Sequence, residues 1–470
     1  MPFKTSRFRA PLLALLPALA LHASAGAQQV DYALPPSGVI GVQDAMLAPD
    51  YWIARTAAPD AVLLTHVETA ARNRETFAHD PALVDLARLG PTLDRAQVLA
   101  WFHSISTVPT APWVDAEGKP VPQTMLAEMQ ANAGETRIPA TRPTRFGLAL
   151  RRAMLRIWPT PLRAFPSREL TDFDSLQAGV LFPGDAVAIL HTSVDGKWLL
   201  VQTWQGPGWA LADDIAEGSR EEVLGYANHA PYRVVTGDQV RTVYTPEAPA
   251  LSELELDMGA RVPLANLPPD QPVNGQGPYA SWTLLLPARG TDGRLALAPA
   301  LLRKTADTAP DALPLTRANI IRQAFKFLGE RYGWGHLYNA RDCSGFTSDV
   351  YRSLGLILPP NSGAQGKSPA FRHQLFSTAD SHEARLKAVM AADVGDLIVV
   401  PGHVQMILGK VNGQPYILQD VPWAIFRNPD GSLHKTKLNQ VSVTPLLPLL
   451  FDDTHSYVDA MTSLVHVTAR

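Results

Sequence analysis

Short, mostly apolar runs separated by turn residues recur along the middle of the chain, and this pattern predicts short β-strands. Two such runs, at 187–191 and 198–202, flank a Ser-Val-Asp-Gly turn at 193–196, whose Asp-Gly pair is typical of a tight hairpin. Together with a closing Gly-Pro-Gly-Trp segment, they predict a small β-barrel over residues 137–216. Further strand-like runs and Asn-Gly and Asp-Gly turns predict a second barrel over 217–304.

Apolar residues recur at helical spacing on both sides of these barrels. In the N-terminal part, prolines interrupt the helical pattern repeatedly, so we expect several short helices in a unit over 28–136. Beyond the barrels, Thr316 is a suitable N-cap for a helix that carries Ile320 and Ala324. This helix opens a last unit over 305–470, and the whole pattern predicts a multidomain α+β protein.

The first 27 residues have the order of a secretory signal peptide. Lys4, Arg7 and Arg9 precede a short apolar run at 11–21, and Ala-Gly-Ala at 25–27 has the small-x-small form of a cleavage site. No later apolar run is long enough to cross a bilayer. We therefore expect a cleaved signal peptide over 1–27, no membrane span, and a periplasmic or secreted protein.

Composition narrows the possible chemistry. The formal net charge of −3 gives no reason to expect a nucleic-acid partner. Cys343 is the only cysteine, which excludes an intrachain disulfide and a cysteine-rich metal site. The chain also lacks a His-Glu-x-x-His string, so we expect no metal and no cofactor.

Cys343 lies where a helix is predicted to begin. Phe346, Val350 and Leu354 follow at helical spacing, and Gly355 marks the end. Free backbone N–H groups at a helix N-terminus favour negative charge, so the position predicts a lowered pKa for the thiol and a site for an oxyanion. The alternative is an inert buried cysteine, for which the polar, turn-like surroundings are unusual.

His403 is the histidine best placed to act as general base for this thiol. It follows a Pro-Gly turn and opens a strand, whereas His336 lies in a glycine-rich loop and is the weaker candidate. The alternative is that His403 is a solvent-facing turn residue. A third group normally orients such an imidazole, and the next strand offers Gln419 and Asp420 on opposite faces.

Four short strings in the last unit are distinctive. They are Tyr-Gly-Trp-Gly at 332–335, Asp-Cys-Ser-Gly-Phe at 342–346, Val-Gly-Asp-Leu at 394–397 and Gly-His-Val at 402–404. Together they resemble the NlpC/P60 family of cell-wall cysteine peptidases. The longer string Asn-Ala-Arg-Asp-Cys-Ser-Gly at 339–345 is similar to the subgroup that carries two bacterial SH3-type domains.

The resemblance implies both a fold and a reaction. The implied fold is a papain-like catalytic domain preceded by two SH3-like barrels and a helical N-terminal unit. The implied reaction is hydrolysis of the γ-D-glutamyl–diamino acid bond in peptidoglycan stem peptides or muropeptides, by a monomeric enzyme. By position, Cys343 is the nucleophile, His403 the base and Gln419 the third group, where many members have histidine; Asp420 stays the alternative.

The resemblance also implies a substrate-binding set around the nucleophile. Its members are Tyr332, Arg341, Asp342 and Ser344. Asp342 is expected to pair with the free amine of an N-terminal L-alanine, a contact that a carboxylate and an ammonium make well. Capping of the cysteine helix is a second, compatible role for Asp342, and Tyr332 either hydrogen-bonds near the sulfur or only packs.

Two other classes of function are compatible with the same sequence. A decayed catalytic unit would leave a wall-binding scaffold that uses the barrels. An amidase or an acyltransferase could use the same catalytic residues, and fold analogy alone does not decide between them.

Overall fold

The computed structural model describes residues 38–428 and 430–469. The signal peptide predicted over 1–27 lies outside the described residues. Within the described range, none of the helices has the length and apolar character needed to cross a bilayer.

The N-terminal part consists of short helices and strands, as its interrupted helical pattern predicts. Its elements are α1 (Pro49–Ile53), β1 (Val62–Leu64), α2 (His66–His79), β2 (Thr92–Asp94), α3 (Arg95–Ile105), α4 (Gln123–Ala133) and β3 (Thr141–Pro143). Helix α2 begins with a capping box, in which Thr65 and Glu68 each accept a hydrogen bond from the other's backbone N–H.

Residues of the N-terminal part contribute to cores outside their own segment. Val39, Ile40 and Trp52 pack into the core of the C-terminal domain, where the rings of Trp52 and Tyr416 lie 5.3 Å apart. Helices α3 and α4 share a core with the first barrel. Within 38–136, the short helices therefore bury their apolar faces against two neighbouring units, because short helices need tertiary partners.

The first barrel is a single antiparallel sheet of seven strands. They are β4 (Arg145–Ala149), β5 (Ala153–Arg156), β6 (Gln177–Leu181), β7 (Ala186–Thr192), β8 (Trp198–Thr203), β9 (Gly206–Leu211) and β10 (Ile215–Gly218), in the spatial order β10-β4-β7-β8-β9-β5-β6. The hairpin expected at the Asp-Gly turn is β7–β8, with Ile189 opposite Val201.

A second β-rich unit, which we call the second barrel after the sequence prediction, follows the short helix α5 (Arg220–Gly225). Its strands are β11 (Tyr232–Val235), β12 (Gln239–Arg241), β13 (Glu255–Asp257), β14 (Arg261–Pro263), β15 (Ser281–Arg289), β16 (Leu295–Arg303) and β17 (Thr308–Ala309). They form three small sheets, β14-β11-β17, β12-β13 and β15-β16, around a core that includes Val235, Leu256 and Leu284.

The C-terminal domain packs helices against an antiparallel sheet. Its elements are β18 (Leu315–Thr316), α6 (Arg317–Phe325), α7 (Cys343–Ser353), α8 (Ser362–Gln365), β19 (Arg372–Leu375), α9 (His382–Ala391), β20 (Leu397–Val400), β21 (His403–Val411), β22 (Gln414–Arg427), β23 (Leu433–Pro445), β24 (Leu449–Leu450), α10 (Tyr457–Ala460) and β25 (Ser463–His466). The strand order is β19-β25-β20-β21-β22-β23, with β24 paired to β22, and α7 packs on β21 and β22. The predicted multidomain α+β fold is thereby confirmed.

Candidate active site

Cys343 is the first residue of α7. Asp342 caps this helix, its Oδ1 accepting a 2.9 Å hydrogen bond from the Gly345 N–H. The cysteine side chain is buried, and the backbone N–H groups of Val404 and Ser344 act to lower the pKa of its thiol. Because Val404 directly follows His403, the fold brings the start of β21 against the start of α7.

His403 belongs to a hydrogen-bonded chain of three side chains. Its Nε2 lies 2.8 Å from Oε1 of Gln419, and Nε2 of Gln419 donates to the Thr444 hydroxyl at 2.9 Å. With the amide oxygen of Gln419 facing the ring, Nε2 of His403 carries the proton. This tautomer leaves Nδ1 of His403 able to accept a proton, which is the arrangement that a general base requires.

Burial controls the protonation of both groups. It raises the pKa of the Cys343 thiol above its usual range, and the Asp342 carboxylate raises this pKa further, against the N–H groups of Val404 and Ser344. Burial also lowers the pKa of His403 to about 4, although Gln419 and Asp342 act in the opposite direction. The resting site therefore holds a neutral thiol and a neutral imidazole. The lowered thiol pKa predicted from the helix N-terminus is wrong, because desolvation outweighs the helix N–H groups.

Asp342 hydrogen-bonds to the start of α7, to the side chain of Ser344 and to the loop that precedes the helix. Besides the cap, its Oδ1 accepts from the Ser344 hydroxyl at 2.9 Å, and its Oδ2 accepts from the Gly335 N–H at 3.1 Å. A carboxylate offers about four acceptor positions. Three are occupied by these bonds, so one position on Oδ2 is left for a further donor.

Tyr332 packs, which is one of the two roles expected of it, and its hydroxyl feels the charge of the nucleophile. Its ring is buried and packs on Phe173 of the first barrel, with 5.8 Å between ring centroids. Burial raises the pKa of its hydroxyl, and the charges of Cys343 and Asp342 raise this pKa further. The phenol is thus both a packing group and a neighbour of the nucleophile.

Arg341 lies in the interior rather than at a surface that a substrate could reach. Its guanidinium is fully buried and forms ion pairs with Asp349, Glu330 and Asp257 at 2.7, 2.8 and 3.1 Å. Burial by itself would lower the pKa of Arg341, but the three carboxylates raise it above its ordinary value. A direct substrate contact, as predicted from the sequence, would break these pairs, so the geometry assigns Arg341 a structural role instead.

Asp420 is the neighbour of Gln419 but takes no part in the chain that holds His403. Among the described residues, neither of its carboxyl oxygens has a hydrogen-bond partner. Burial raises the pKa of Asp420 well above its usual range, and the charges of Asp342 and Glu330 raise it further. The group next to the imidazole is therefore Gln419, and burial favours the neutral form of Asp420.

Sequence reasoning missed two residues that hold or contact the His403–Gln419 pair. Thr444, on β23, fixes the Gln419 amide, and Tyr457, in α10, packs its ring edge-on at 6.2 Å from the His403 ring. Neither residue belongs to a distinctive string. Only the pairing of β22 with β23 and the return of the chain through α10 bring them to the site.

The site has no features of a metal centre. In the part of the chain that the structure describes, no group of three or more His, Cys, Asp or Glu side chains is arranged to hold a metal ion.

Comparison with known families agrees with this geometry. The model of the NlpC/P60 family matches residues 329–443, which include α7, β21 and β22. Residues 329–443 form an NlpC/P60 domain. An SH3 domain of the SH3b1 type matches residues 163–210, within the first barrel and ahead of the NlpC/P60 domain.

Individual relatives match either the domain or the overall fold. Proteins named probable endopeptidase p60 from Listeria seeligeri and Listeria welshimeri are 36% and 35% identical over 102 residues, which is 21% of this chain and 18% of each relative. The chain thus covers only 18% of the length of these curated relatives. The structure of an NlpC/P60 endopeptidase from Photobacterium damselae subsp. piscicida superposes with a TM-score of 0.70 at 15% identity, covering 89% of this chain and 96% of that one. That likeness extends the shared fold beyond the NlpC/P60 domain to most of the chain.

Proposed function

We propose that this protein is a cysteine peptidase that hydrolyses an amide bond in peptidoglycan stem peptides or muropeptides. The bond is the one between γ-D-glutamate and the diamino acid, and the enzyme acts in the periplasm after export. The observation that carries the proposal is the packing of α7, which begins at Cys343, on β21, which begins at His403, within an NlpC/P60 domain. The ring of His403 is held there by Gln419, which is held in turn by Thr444.

The first half of the reaction forms an acyl-enzyme. The Cys343 sulfur attacks the γ-glutamyl carbonyl carbon while Nδ1 of His403 takes the thiol proton. Backbone N–H groups at the start of α7 stabilise the oxyanion. When the C–N bond breaks, His403 returns the proton to the leaving amine of the diamino acid, and a thioester remains on Cys343.

Water completes the cycle. His403, again neutral, takes a proton from a water molecule as its oxygen attacks the thioester carbonyl. The C–S bond breaks, the proton passes to the sulfur, and the γ-carboxyl product leaves. Gln419 keeps the ring in register through both halves, and it carries no charge that would have to change.

The free acceptor position of Asp342 suits the amine of an N-terminal L-alanine. Its Oδ2 already accepts from Gly335, and an ammonium donor would fill the remaining position next to the nucleophile. This contact would favour short fragments with a free amine over stem peptides still joined to glycan.

The experiment is incubation with the tripeptide L-Ala-γ-D-Glu-diamino acid and mass spectrometry of the products. We expect the wild type to release the diamino acid, and Cys343→Ala and His403→Ala to release none while keeping the wild-type circular dichroism spectrum. His382→Ala, at an exposed histidine on α9, is the matched control. Cleavage by Cys343→Ala would exclude the mechanism, and a different product mass would indicate an amidase or acyltransferase.

A second substrate separates the amine contact from the chemistry. The same tripeptide with an acetylated alanine should be cleaved at least about tenfold more slowly, because a buried ion pair with Asp342 is lost. Equal rates on the two peptides would exclude amine recognition and leave the peptidase assignment intact. Binding to purified sacculi without release of any peptide would favour a wall-binding scaffold.

A further inference from the structure

The loop that leads to Cys343 has an unusual backbone. Gly335, His336, Tyr338 and Asn339 all have positive φ, at 55°, 64°, 62° and 55°. Side chains with a Cβ rarely adopt this left-handed region, and Tyr has less tolerance for it than Asn or His. Three non-glycine residues in this conformation within four positions need support from outside the loop.

That support comes from the two barrels. Nη2 of Arg152, in the turn between β4 and β5, donates to the carbonyls of His336 and Ala340 at 3.0 and 2.7 Å. Gln177 of the first barrel donates to the carbonyl of Gly335 at 2.9 Å, and Gln239 of the second barrel donates to that of Asn339 at 2.8 Å. Arg152 is the only one of these three donors that holds two loop carbonyls.

The orientation of Arg152 is fixed by a buried carboxylate. Its Nη1 pairs with Asp257 of the second barrel, and Oδ1 of Asp257 also accepts from Arg341 at 3.1 Å. The Arg152 side chain is only 9% exposed. One network therefore links the first barrel, the second barrel and the residue just before the helix cap Asp342.

The position of the loop is transmitted directly to the nucleophile. The Gly335 N–H donates to the capping carboxylate of Asp342, and the His336 ring lies so close to Gly345 that a Cβ there would sit 2.5 Å from the ring. If the loop relaxed to an ordinary backbone conformation, both contacts at the N-terminus of α7 would be lost.

We propose that Arg152 is a positioning residue for Cys343: by holding the loop at 333–340 in its left-handed conformation, it makes the barrels part of the active site. This inference rests on the proposed peptidase function. In it, the barrels contribute to catalysis, since the catalytic domain separated from them would keep its three catalytic side chains and lose their alignment.

The test compares Arg152→Ala and Arg152→Lys with a matched control. Lysine keeps the charge that pairs with Asp257 but lacks the planar fork that holds two carbonyls. We expect kcat on the tripeptide to fall about 100-fold in both variants, with a smaller change in KM, as a displacement of about 1 Å near the reacting atoms would cause. The control is Arg145→Ala, which removes an arginine–carboxylate pair with Glu217 in the same barrel and should leave kcat unchanged.

A rescue distinguishes positioning from loss of fold. Tyr338→Gly removes the least tolerant left-handed residue, so Arg152→Ala combined with Tyr338→Gly should recover at least about tenfold of the lost kcat. A general folding defect would not be repaired by a glycine at the exposed position 338. Failure of this rescue, or an unchanged kcat in Arg152→Lys, would overturn the proposal.

Amide hydrogen exchange gives a readout that does not depend on the peptidase assignment. Arg152→Ala and Arg152→Lys should exchange faster in 333–345 and at the wild-type rate in β20–β23. If the wild type cleaves no peptide, the proposed function fails, but this measurement still tests whether Arg152 holds the loop at 333–340. Unchanged exchange in 333–345 would exclude the role of Arg152.

Discussion

Nε2 of His403 and Oε1 of Gln419 lie 2.8 Å apart, and Thr444 holds the other end of the Gln419 amide. This pairing determines which ring nitrogen carries the proton, so it determines whether His403 can accept one from Cys343. An amide can do this as well as a carboxylate, because the ring needs orientation rather than a charge.

Gln419→Ala should therefore lower kcat by about 100-fold, since the ring would lose its tautomer and its orientation. Thr444→Val should have a smaller effect, because the Gln419 amide would stay in place but could rotate so that its NH2 group faces the ring. Steady-state kinetics on the tripeptide measure both. Asp420→Asn is the control and should keep most of the activity; a larger loss in Asp420→Asn than in Gln419→Ala would return the third position to Asp420.

The chemical state of the nucleophile can be measured directly because the chain has one cysteine. A neutral thiol next to an imidazole with a pKa of about 4 should react with iodoacetamide slowly at pH 6 and progressively faster towards alkaline pH. A preformed thiolate–imidazolium pair would instead give a rate that is flat from about pH 5 to 8.

The control for this reaction is the protein unfolded in urea. Its thiol has an ordinary pKa of about 8.5, so its rate at pH 8 should exceed that of the folded protein. A flat pH profile in the folded protein would contradict the neutral resting state, whatever the absolute rate.

The local settings of Cys343 and His403 could be predicted from the sequence, because each lies in a short string whose backbone is set by near neighbours. The choice of Gln419 over Asp420 could not be made from the residues alone. Cys343 follows a capping residue and His403 follows a Pro-Gly turn. The fold class followed from strand and helix periodicity in the same way.

What the sequence could not indicate depends on contacts across the chain. Arg341 has the position of a substrate residue, but its role is set by Asp257, 84 residues earlier. The direction of the Cys343 pKa is set by burial, which no local pattern reveals. Arg152 lies 184 and 188 positions before the two loop residues whose carbonyls it holds.

The buried position of Arg341 leads to a prediction about stability. Arg341→Met would leave Asp349, Glu330 and Asp257 with one fewer cation in the interior, and we expect the free energy of unfolding to fall by about 3–5 kcal/mol. Urea unfolding followed by circular dichroism measures this loss.

The matched control is Arg317→Met. Arg317 pairs with Asp393, which is 49% exposed, so this substitution should cost less than about 1 kcal/mol. Equal losses in the two variants would mean that the buried network contributes no more than a surface pair.

Because the carboxyl of Asp420 is buried, we expect an unusual dependence of the protein's stability on pH. In the unfolded chain its carboxyl releases a proton near pH 4, whereas burial keeps the folded carboxyl protonated to a much higher pH. Between these two pKa values the folded state binds more protons, so the contribution of Asp420 to stability falls as pH rises.

Asp420→Asn removes this titration, and its stability relative to the wild type should increase by about 1.4 kcal/mol per pH unit within the window. Urea unfolding at pH 4.5, 6 and 7.5 measures the difference, with Asp453→Asn as a control at an exposed position. A difference between Asp420→Asn and wild type that does not change with pH would mean that the buried carboxyl is ionised in the folded protein.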